Sequence, residues 1–203
     1  MVVVGLAGAE PVALFSPPGV SGSGTHIGQG KFITAYHVIQ DAPNGTLAGT
    51  DESNGQVEIL TTSKEYDVAL VQYRDFKGRA TPYECREPRV GEEITIEAYP
   101  LDYGLVQFWG RVAGMPREIG PWARIYPVDM TAIPGMSGGG IKSKNGKMIG
   151  VLVGMGQMDT EQQRGKKDLI AFHIGFVVPM SDVCKQLGMT AGAPGGTSGK
   201  RGR

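Results

Sequence analysis

The sequence predicts an all-β protein. It contains 32 glycines and 13 prolines in 203 residues, a turn-rich composition that suits many short strands better than long helices. Several short segments alternate polar and apolar side chains, as a strand with one buried face does. A hydrophobic content of 40% supports a packed core, and the length is sufficient for one large β domain or for two small barrels that share an interface.

The first half of the chain is predicted to contain five strands. The first ends in a proline- and glycine-rich turn, and a tight hairpin at residues 28–30 leads into the second strand, which delivers His37. Polar and apolar residues alternate in the third and the fifth, whereas a near-continuous apolar run after Asp67 predicts that the fourth is buried between sheets. The five strands span residues 11–15, 31–35, 57–61, 67–73 and 92–99.

The second half begins with two strands, at residues 106–113 and 124–129. The Asn-Gly pair that ends at Gly146 is the strongest hairpin signal in the chain, because these residues accommodate the positive φ of a type I′ turn. We expect a loop over the polar residues near 160 and a short helix with Ser181 as N-cap and Gly188 as its stop. The predicted segments are strands 140–142, 148–155 and 169–178, loop 157–167 and helix 180–187.

Composition argues against several classes of protein. Acidic and basic residues balance at 20 each, so no global field directs the chain to nucleic acid or to a membrane surface. No segment approaches the roughly 20 apolar residues of a membrane span, and the apolar residues 1–9 lack the basic region of a signal peptide. The two cysteines and three scattered histidines do not form a metal-ligand cluster, so we expect no metal ion.

The glycine-rich segment 131–140 contains one serine, Ser137, with Gly135 before it and three glycines after it. Glycine tolerates positive φ and lets another backbone approach closely, so the serine hydroxyl can lie at the rim of a tight turn. The backbone N–H groups of Gly135 and Ser137 could then converge on one point, as a nucleophile beside an oxyanion site requires. The alternative is a flexible glycine turn without function.

Two nucleotide-binding motifs are nearly present in the sequence. A P-loop needs Lys directly after its second glycine, but Gly140 is followed by Ile141. The glycines of segment 22–28 miss the dinucleotide-binding pattern by one residue. Neither segment lies between a predicted strand and a predicted helix, so a nucleotide-binding protein is disfavoured.

A serine nucleophile requires a base and a carboxylate that orients it. His37 ends an apolar run, and Asp67 opens a strand-like one. Taken singly, a histidine there is usually a packed residue and an aspartate is usually a turn residue. Together with Ser137 they occur in the order His, Asp, Ser, which is one of the chain orders known for this triad.

The residues around these three positions resemble the signatures of the chymotrypsin-like (trypsin-fold) serine proteases. They are Thr-Ala-Tyr before His37, Val-Ala-Leu after Asp67, and Pro-Gly-Met before Ser137. The chain is most similar to the disulfide-free branch, which contains the HtrA-like proteases and related viral and phage processing proteases. Segment 174–179 resembles the Gly-Phe-Ala-Ile-Pro segment of HtrA-like proteases, and the resemblance spans roughly residues 10–187.

The resemblance implies an all-β fold of two antiparallel six-stranded β-barrels with a short C-terminal helix. The protease domain would cover residues 1–187, with barrel one at about 10–100, barrel two at about 101–178 and the helix at about 180–187. Residues 188–203 have the composition of a flexible Gly/Ser/Pro-rich tail with a basic end. Its three basic residues leave open only a weak contact with nucleic acid.

The same resemblance implies a serine endopeptidase that acts on peptides or proteins and needs no cofactor. Ser137 would be the nucleophile, His37 the general base and Asp67 the residue that holds the histidine tautomer. The N–H groups of Gly135 and Ser137 would form the oxyanion hole. The alternative is a catalytically silent protease-fold module that binds other molecules or plays a structural part.

By resemblance, the substrate pocket would have Thr131 at its base. Its walls would be the segment Val153, Gly154 and Met155 and the strand through His173. Because none of these residues is acidic, we expect no preference for Lys or Arg, although Asp129 is near. By default we expect the pocket to accept a substrate residue with a modest uncharged side chain. A sharper option is Gln or Glu read by Thr131 and His173, and the alternative is that His173 only packs against the barrel.

The resemblance also sets expectations about biological context. Secreted digestive members of the family carry several disulfides, one of them beside the catalytic histidine, whereas here neither Cys85 nor Cys184 lies near His37. We therefore expect a reducing compartment such as the cytoplasm. The chain has no room for the PDZ domain usual in HtrA-like enzymes, which favours a compact protease, such as one that processes a viral or phage polyprotein. The oligomeric state does not follow from the sequence.

Overall fold

The structure is a computed structural model that describes residues 12–15, 21–41, 46–48, 54–74, 76, 78–101, 103–161 and 167–190. Within these residues the chain forms two β-sheets and two short helices, so the prediction of a mostly β protein is confirmed. No helix in the described part is long and apolar enough to cross a membrane. The strands are β1 (Val12–Phe15), β2 (Gly22–Gly28), β3 (Lys31–Ala35), β4 (Thr46–Ala48), β5 (Asn54–Gln56), β6 (Glu58–Ser63), β7 (Val68–Gln72), β8 (Glu93–Ala98), β9 (Val106–Val112), β10 (Arg117–Ile119), β11 (Trp122–Asp129), β12 (Gly140–Ser143), β13 (Met148–Glu161) and β14 (Lys167–Pro179). The helices are α1 (Tyr36–Ile39) and α2 (Met180–Gln186).

The first sheet does not close into the six-stranded barrel that the family resemblance implied. Its strands follow the order β5-β4-β1-β2-β3-β7-β6, and among the described residues the edge strands β5 and β6 form no ladder with each other. They are consecutive in the chain and separated only by Val57. Within the described residues the two edges are therefore connected covalently but not by hydrogen bonds, and a second closed barrel stays a prediction.

The second sheet closes. Its order is β10-β11-β14-β13-β12-β8-β9, and the additional pairing of β11 with β9 joins its ends. Val128 lies opposite Val112, and Asp129 lies opposite Arg111. The closed barrel contains six strands, as predicted, and β10 is an extra strand attached to β11.

Strand β8 belongs to the closed barrel, not to the first barrel, where the sequence analysis put it. It pairs with β12 and β9, and its alternate residues Ile94, Ile96 and Ala98 are buried in the barrel core. The alternation of polar and apolar residues in β8 correctly predicted that one face of this strand is buried. The alternation does not show which sheet supplies the neighbouring strands, because a strand with one buried face fits in either sheet.

The prediction of a loop over residues 157–167 is also wrong for its first five residues and its last, which lie in strands. Strand β13 continues to Glu161, and the ladder runs from Gln157 opposite Ala171 to Glu161 opposite Lys167. Backbone pairing of this kind needs no apolar alternation, so a polar sequence can form it. Helix α2 confirms the predicted helix, but its N-cap is Pro179 and not Ser181, whose hydroxyl is buried without a hydrogen-bond partner within the described chain.

A disulfide joins Cys85, in the segment between β7 and β8, to Cys184 in α2. The two Cα atoms lie 5.8 Å apart although the residues are separated by 99 positions. The prediction of a disulfide-free chain is therefore wrong, because the fold brings together two cysteines that the sequence keeps far apart. The argument for a reducing compartment rested on that prediction, and the compartment stays untested.

Two apolar cores hold the sheets in place. The first contains side chains from both sheets and from α2, among them Phe32, Val71, Val151 and Val183. It therefore packs the first sheet and the helix against the outside of the barrel. The second core fills the closed barrel with side chains such as Ile96, Tyr126, Ile141 and Leu152.

His26 on β2 is a buried polar residue in the first sheet, with 3% of its surface exposed. Its Nε2 accepts a hydrogen bond from the Gly30 N–H over 3.1 Å, and its Nδ1 lies 3.2 Å from the Arg79 carbonyl oxygen. The rings of Phe32 and Phe76 pack against it. Burial lowers the pKa of His26 from its ordinary value, because the charged imidazolium is poorly solvated there and would lose the bond from Gly30.

We expect this lowered pKa to make the fold acid-sensitive. The unfolded chain, with a histidine pKa of about 6.5, binds more protons than the folded chain, so the stability that His26 contributes is fully present above that value and is lost as the pH falls below it. Urea unfolding at pH 7.5, 6.5 and 5.5 measures the loss. His26→Gln, which keeps a donor and an acceptor, should show a smaller loss; an equal loss in both proteins would contradict the prediction.

Candidate active site

The paired strands β3 and β7 bring His37 and Asp67 together. Ala35 lies opposite Val68 in this ladder, so the residue after β3 faces the residue before β7. The Nδ1 atom of His37 lies 2.7 Å from Oδ2 of Asp67, and the backbone N–H of His37 donates to Oδ1 over 2.8 Å. Since an ionised carboxylate only accepts, Nδ1 carries the proton, and Nε2 of the neutral ring is left as an acceptor.

The backbone of Asp67 is held as firmly as its side chain. Its φ is 53°, in the left-handed region that Asp adopts more readily than most residues. Its N–H donates to the Lys64 carbonyl, which closes a turn, and its carbonyl accepts from the Tyr36 N–H over 3.1 Å. Asp67 is 7% exposed, so water has little access to the carboxylate.

A third donor reaches this carboxylate from the other sheet. The indole Nε1–H of Trp122, the first residue of β11, donates to Oδ2 of Asp67 over 3.1 Å. Trp122 was not predicted from the sequence, which indicated a strand only from residue 124 onward. Nothing in the local sequence connects Trp122 to a residue 55 positions away.

Ser137 lies in the loop between β11 and β12, and the glycines around it are required by close packing. Gly135 has φ of 93° and Gly138 has φ of 88°. A Cβ on Gly135 would lie 2.4 Å from the Tyr99 carbonyl oxygen, and one on Gly138 would lie 2.1 Å from the Ser23 carbonyl oxygen. Both positions therefore exclude a side chain on grounds of backbone angle and of space. These contacts contradict the alternative of a loose glycine turn.

The N–H groups of this loop fall into two sets. Within the described part of the chain, those of Gly135 and Ser137 donate to no protein acceptor. The intervening Met136 N–H donates to the Ile133 carbonyl, and the Gly138 N–H donates to the Leu152 carbonyl over 2.7 Å. Between Gly135 and Gly138, the two N–H groups expected to form an oxyanion hole are thus the ones without an acceptor in the described chain.

A buried hydroxyl on β2 supports the loop from the first sheet. Ser23, which is 0% exposed, donates through Oγ to the Gly135 carbonyl over 2.8 Å. Its backbone N–H donates to the Ser137 carbonyl over 2.7 Å, and its Oγ accepts from the Tyr99 N–H over 2.9 Å. Ser23 was not predicted from the sequence, because it is one of several serines beside glycines and belongs to no motif.

A cavity of about 410 Å³ contains the residues from both sheets. His37 and Asp67 line it from the first sheet, and Ser137 lines it from the second. Val153, Gly154 and Met155, which the sequence analysis put in the pocket wall, line it as well. The other lining residues are Tyr36, Gln40, Lys64, Pro121, Trp122, Ala132, Ile133, Pro134 and Leu152.

Thr131 and His173 are not among the residues that line this cavity. They do contact each other, since Oγ1 of Thr131 lies 2.8 Å from Nε2 of His173. Nδ1 of His173 lies 2.9 Å from Oδ1 of Asp129, so the imidazole links a hydroxyl to a carboxylate. Asp129 and His173 line a separate groove of about 890 Å³ that also contains Trp109.

A comparison of the sequence with known families identifies the family of this chain. A family model described as a trypsin-like peptidase domain matches residues 22–151, a range that includes His37, Asp67 and Ser137. The chain belongs to the trypsin-like peptidase domain family. This match confirms the predicted family and supports a peptidase that acts on peptides or proteins. The predicted closeness to viral and phage enzymes gains no support from it.

This trypsin-like peptidase is similar in sequence to a plant protein and similar in fold to solved protease structures. It is 26% identical over 132 residues to "Protease Do-like 1, chloroplastic" from Arabidopsis thaliana, which covers 61% of this chain and 30% of that relative. The solved structure of the M. tuberculosis protease Rv3671c in an inactive form has a TM-score of 0.73 at 19% identity, covering 90% of this chain and 89% of that chain. The HtrA-type protease AlgW with a tripeptide has a TM-score of 0.71 at 19% identity, covering 88% and 59%. The structural likenesses are evidence for the fold.

No group of three or more His, Cys, Asp and Glu side chains in the described part of this trypsin-like peptidase could hold a metal ion. The cavity and the loop beside it present a hydroxyl, an imidazole, a carboxylate and backbone N–H groups. The expectation that no cofactor is needed stays a prediction.

Proposed function

We propose that the chain is a serine endopeptidase that uses Ser137, His37 and Asp67 as its catalytic triad. One observation carries the proposal. The His37 imidazole forms a hydrogen bond through Nδ1 to the buried Asp67 carboxylate and lines the same cavity as Ser137. The backbone N–H groups of Ser137 and Gly135 donate to no acceptor within the described chain. These are the parts that acyl transfer requires: a nucleophile, an oriented base and oxyanion donors.

The proposed reaction proceeds through an acyl-enzyme. Ser137 Oγ attacks the scissile carbonyl carbon while its proton moves to Nε2 of His37. The N–H groups of Gly135 and Ser137 stabilise the oxyanion that forms. Collapse of the tetrahedral intermediate breaks the C–N bond, and the leaving amine takes the proton from His37. Water then attacks the ester by the same route and releases the acid and Ser137, while Asp67 stays ionised throughout.

The proposal is tested by incubating the protein with a quenched fluorescent peptide library and with a fluorophosphonate probe. We expect cleavage within the peptides, at bonds away from both ends, and one probe molecule per chain. The catalytically silent module, the second candidate, predicts neither. The retention of all three triad residue types argues against that candidate. Processing of a viral or phage polyprotein rests on the sequence resemblance alone and stays a prediction.

Ser23→Ala is expected to reduce kcat by about 10–100-fold, because it leaves the buried Gly135 carbonyl without its donor and so loosens the proposed oxyanion loop. An unsatisfied buried group costs about 1–3 kcal/mol, which corresponds to this range. Ser143→Ala is the matched control, since Ser143 is another buried serine that donates to a backbone carbonyl, that of Lys147, outside the cavity. Steady-state kinetics that show the same kcat loss in both variants would refute a specific role for Ser23.

We expect the site to disfavour Lys and Arg at the residue before the cleaved bond. Among the cavity-lining residues the one acidic side chain is Asp67, which already accepts three hydrogen bonds, and Lys64 adds a positive charge. A buried cation without a partner costs several kcal/mol. The apolar segment from Val153 to Met155 favours an uncharged side chain. Cleavage rates of peptides that carry each amino acid at this position check the prediction. A preference for cleavage after Lys or Arg would contradict it.

Recognition of a substrate Gln or Glu by Thr131 and His173 remains the more specific alternative. The 2.8 Å contact between them supports it, and their position outside the cavity lining argues against it. A Gln or Glu preference that disappears in His173→Ala supports reading by this pair. A preference that persists in that variant, or the absence of any such preference, rejects it.

A further inference from the structure

We infer that Trp122 is a positioning residue that holds the Asp67 carboxylate in its catalytic orientation from the opposite sheet. The inference rests on the proposed function and extends it to a residue outside the triad. Trp122 donates to Oδ2 of Asp67 over 3.1 Å, and the same oxygen accepts from Nδ1 of His37 over 2.7 Å. The imidazole and the indole thus bind a single carboxylate oxygen.

The three donors restrain the carboxylate in complementary ways. The backbone N–H of His37 holds Oδ1, while the imidazole and the indole hold Oδ2. Without the indole, both remaining hydrogen bonds would come from His37, and the carboxylate could rotate together with that residue. The indole N–H is a donor only. Its partner must therefore be an acceptor, a role that Oδ2 of Asp67 fills.

The indole is packed on two sides, and the backbone beside it is held by a hydrogen bond. Its ring packs against Phe176 of β14, with the centroids 5.7 Å apart. It lies over Gly154 of β13, where an added Cβ would approach Trp122 Cη2 to 2.5 Å. The neighbouring Ala123 N–H contacts the Glu65 carbonyl, two residues before Asp67. The ring thus has little freedom to turn, and Gly154 leaves the space it occupies.

Trp122 consequently connects the two halves of the site. Asp67 and His37 come from the first sheet, whereas Trp122, Gly154 and Ser137 come from the second sheet and the loop attached to it. The indole lines the cavity beside both groups. A small shift between the sheets would lengthen the Trp122–Asp67 bond, so this bond keeps the acid and the base aligned with a nucleophile on the other side of the interface.

The test is Trp122→Phe, which keeps an aromatic ring against Phe176 and Gly154 and removes the N–H donor. We expect kcat for peptide hydrolysis to fall by about 10-fold, the approximate loss for one hydrogen bond to a charged group. KM should change less than twofold. The acid limb of the pH profile of fluorophosphonate labelling should move to higher pH, because a carboxylate with one donor fewer stabilises the imidazolium more strongly. A role in packing alone would leave this limb in place.

Trp109→Phe is the matched control, because Trp109 is the other of the two tryptophans in the chain and is 67% exposed. It should show wild-type kinetics and pH profile. Phe176→Leu loosens the ring without removing the N–H and should leave the acid limb unchanged. If the wild type neither cleaves peptides nor reacts with the probe, the proposed function fails. If the wild type is active and Trp122→Phe keeps both its kcat and its acid limb, the inference fails while the proposed function stands.

A readout without substitution of Trp122 covers the case in which Trp122→Phe does not fold. In protein labelled with ¹⁵N at the indoles, we expect His37→Ala to shift the Trp122 N–H signal at constant pH, because the indole and the imidazole share one carboxylate oxygen. The Trp109 signal should stay in place. A Trp122 signal that His37→Ala leaves unchanged would overturn the inference.

Discussion

Ser137→Ala is expected to lower kcat/KM for peptide hydrolysis by a factor of about 10⁴–10⁶, the range found when a member of such a triad is removed. The loss is large because the hydroxyl forms the covalent bond, and no other group in the cavity replaces it. His37→Ala should cause a loss of similar size. The double variant should be no slower than either single variant, because nucleophile and base act in the same step.

Initial rates with the best peptide from the library measure these losses, and the fluorophosphonate probe supplies an independent readout. The wild type should be labelled once, at Ser137. The Ser137→Ala variant should not be labelled, and its urea unfolding curve should match that of the wild type, which confirms that it is folded. Equal labelling of the wild type and Ser137→Ala would assign the nucleophile to another residue.

Removing the disulfide with Cys85→Ala and Cys184→Ala together is expected to lower the free energy of unfolding by about 3–4 kcal/mol. The bond spans 99 positions, and a cross-link of that length restricts the unfolded chain by up to about 4.7 kcal/mol in the chain-entropy description. Removal of a native disulfide typically costs about 2–5 kcal/mol, which places the expectation below that limit. Arg124 bridges Glu87 and Asp182, and the Ser181 N–H donates to the Arg86 carbonyl over 3.2 Å, so α2 stays attached to the same segment.

Urea unfolding with and without a reducing agent checks the assignment to the disulfide. The reductant should bring the wild type to the stability of the double variant and should leave that variant unchanged. Activity at 25 °C should stay within a few-fold of the wild type, because neither cysteine lines the cavity. A wild type whose unfolding midpoint does not respond to full reduction would refute a stabilising role for this bond.

Local sequence was sufficient for the features that depend on near neighbours in the chain. The apolar run from residue 31 and the run after Asp67 are strands β3 and β7, and the Asn-Gly pair lies in the hairpin between β12 and β13. Gly146 has positive φ but Asn145 does not, so the hairpin is confirmed and the type I′ turn expected for it is wrong. Gly135 and Gly138, on either side of Ser137, have the positive φ values that their residue type suggests. Each of these features is set by backbone geometry or by alternation within a few residues, which one sequence displays directly.

Features that depend on distant neighbours were beyond such reasoning. The alternation of β8 fits a strand in either sheet, and its pairing with β9 and β12 appears only when the barrel closes. The polar end of β13 resembles a loop, because a ladder of backbone hydrogen bonds requires no apolar pattern. The disulfide was missed for a related reason. A separation of 99 residues predicts nothing about the 5.8 Å between the two Cα atoms.

The sequence by itself determined the family, the mostly β fold and the three residues proposed for the triad, because motif residues and their order are properties of the chain. Only the tertiary structure decided what supports them. Ser23 holds the loop of Ser137 from β2, and Trp122 reaches Asp67 from β11. Both contacts cross between the sheets. A serine or a tryptophan acquires such a partner only from the packing of one sheet on the other, and neither residue type signals it in advance.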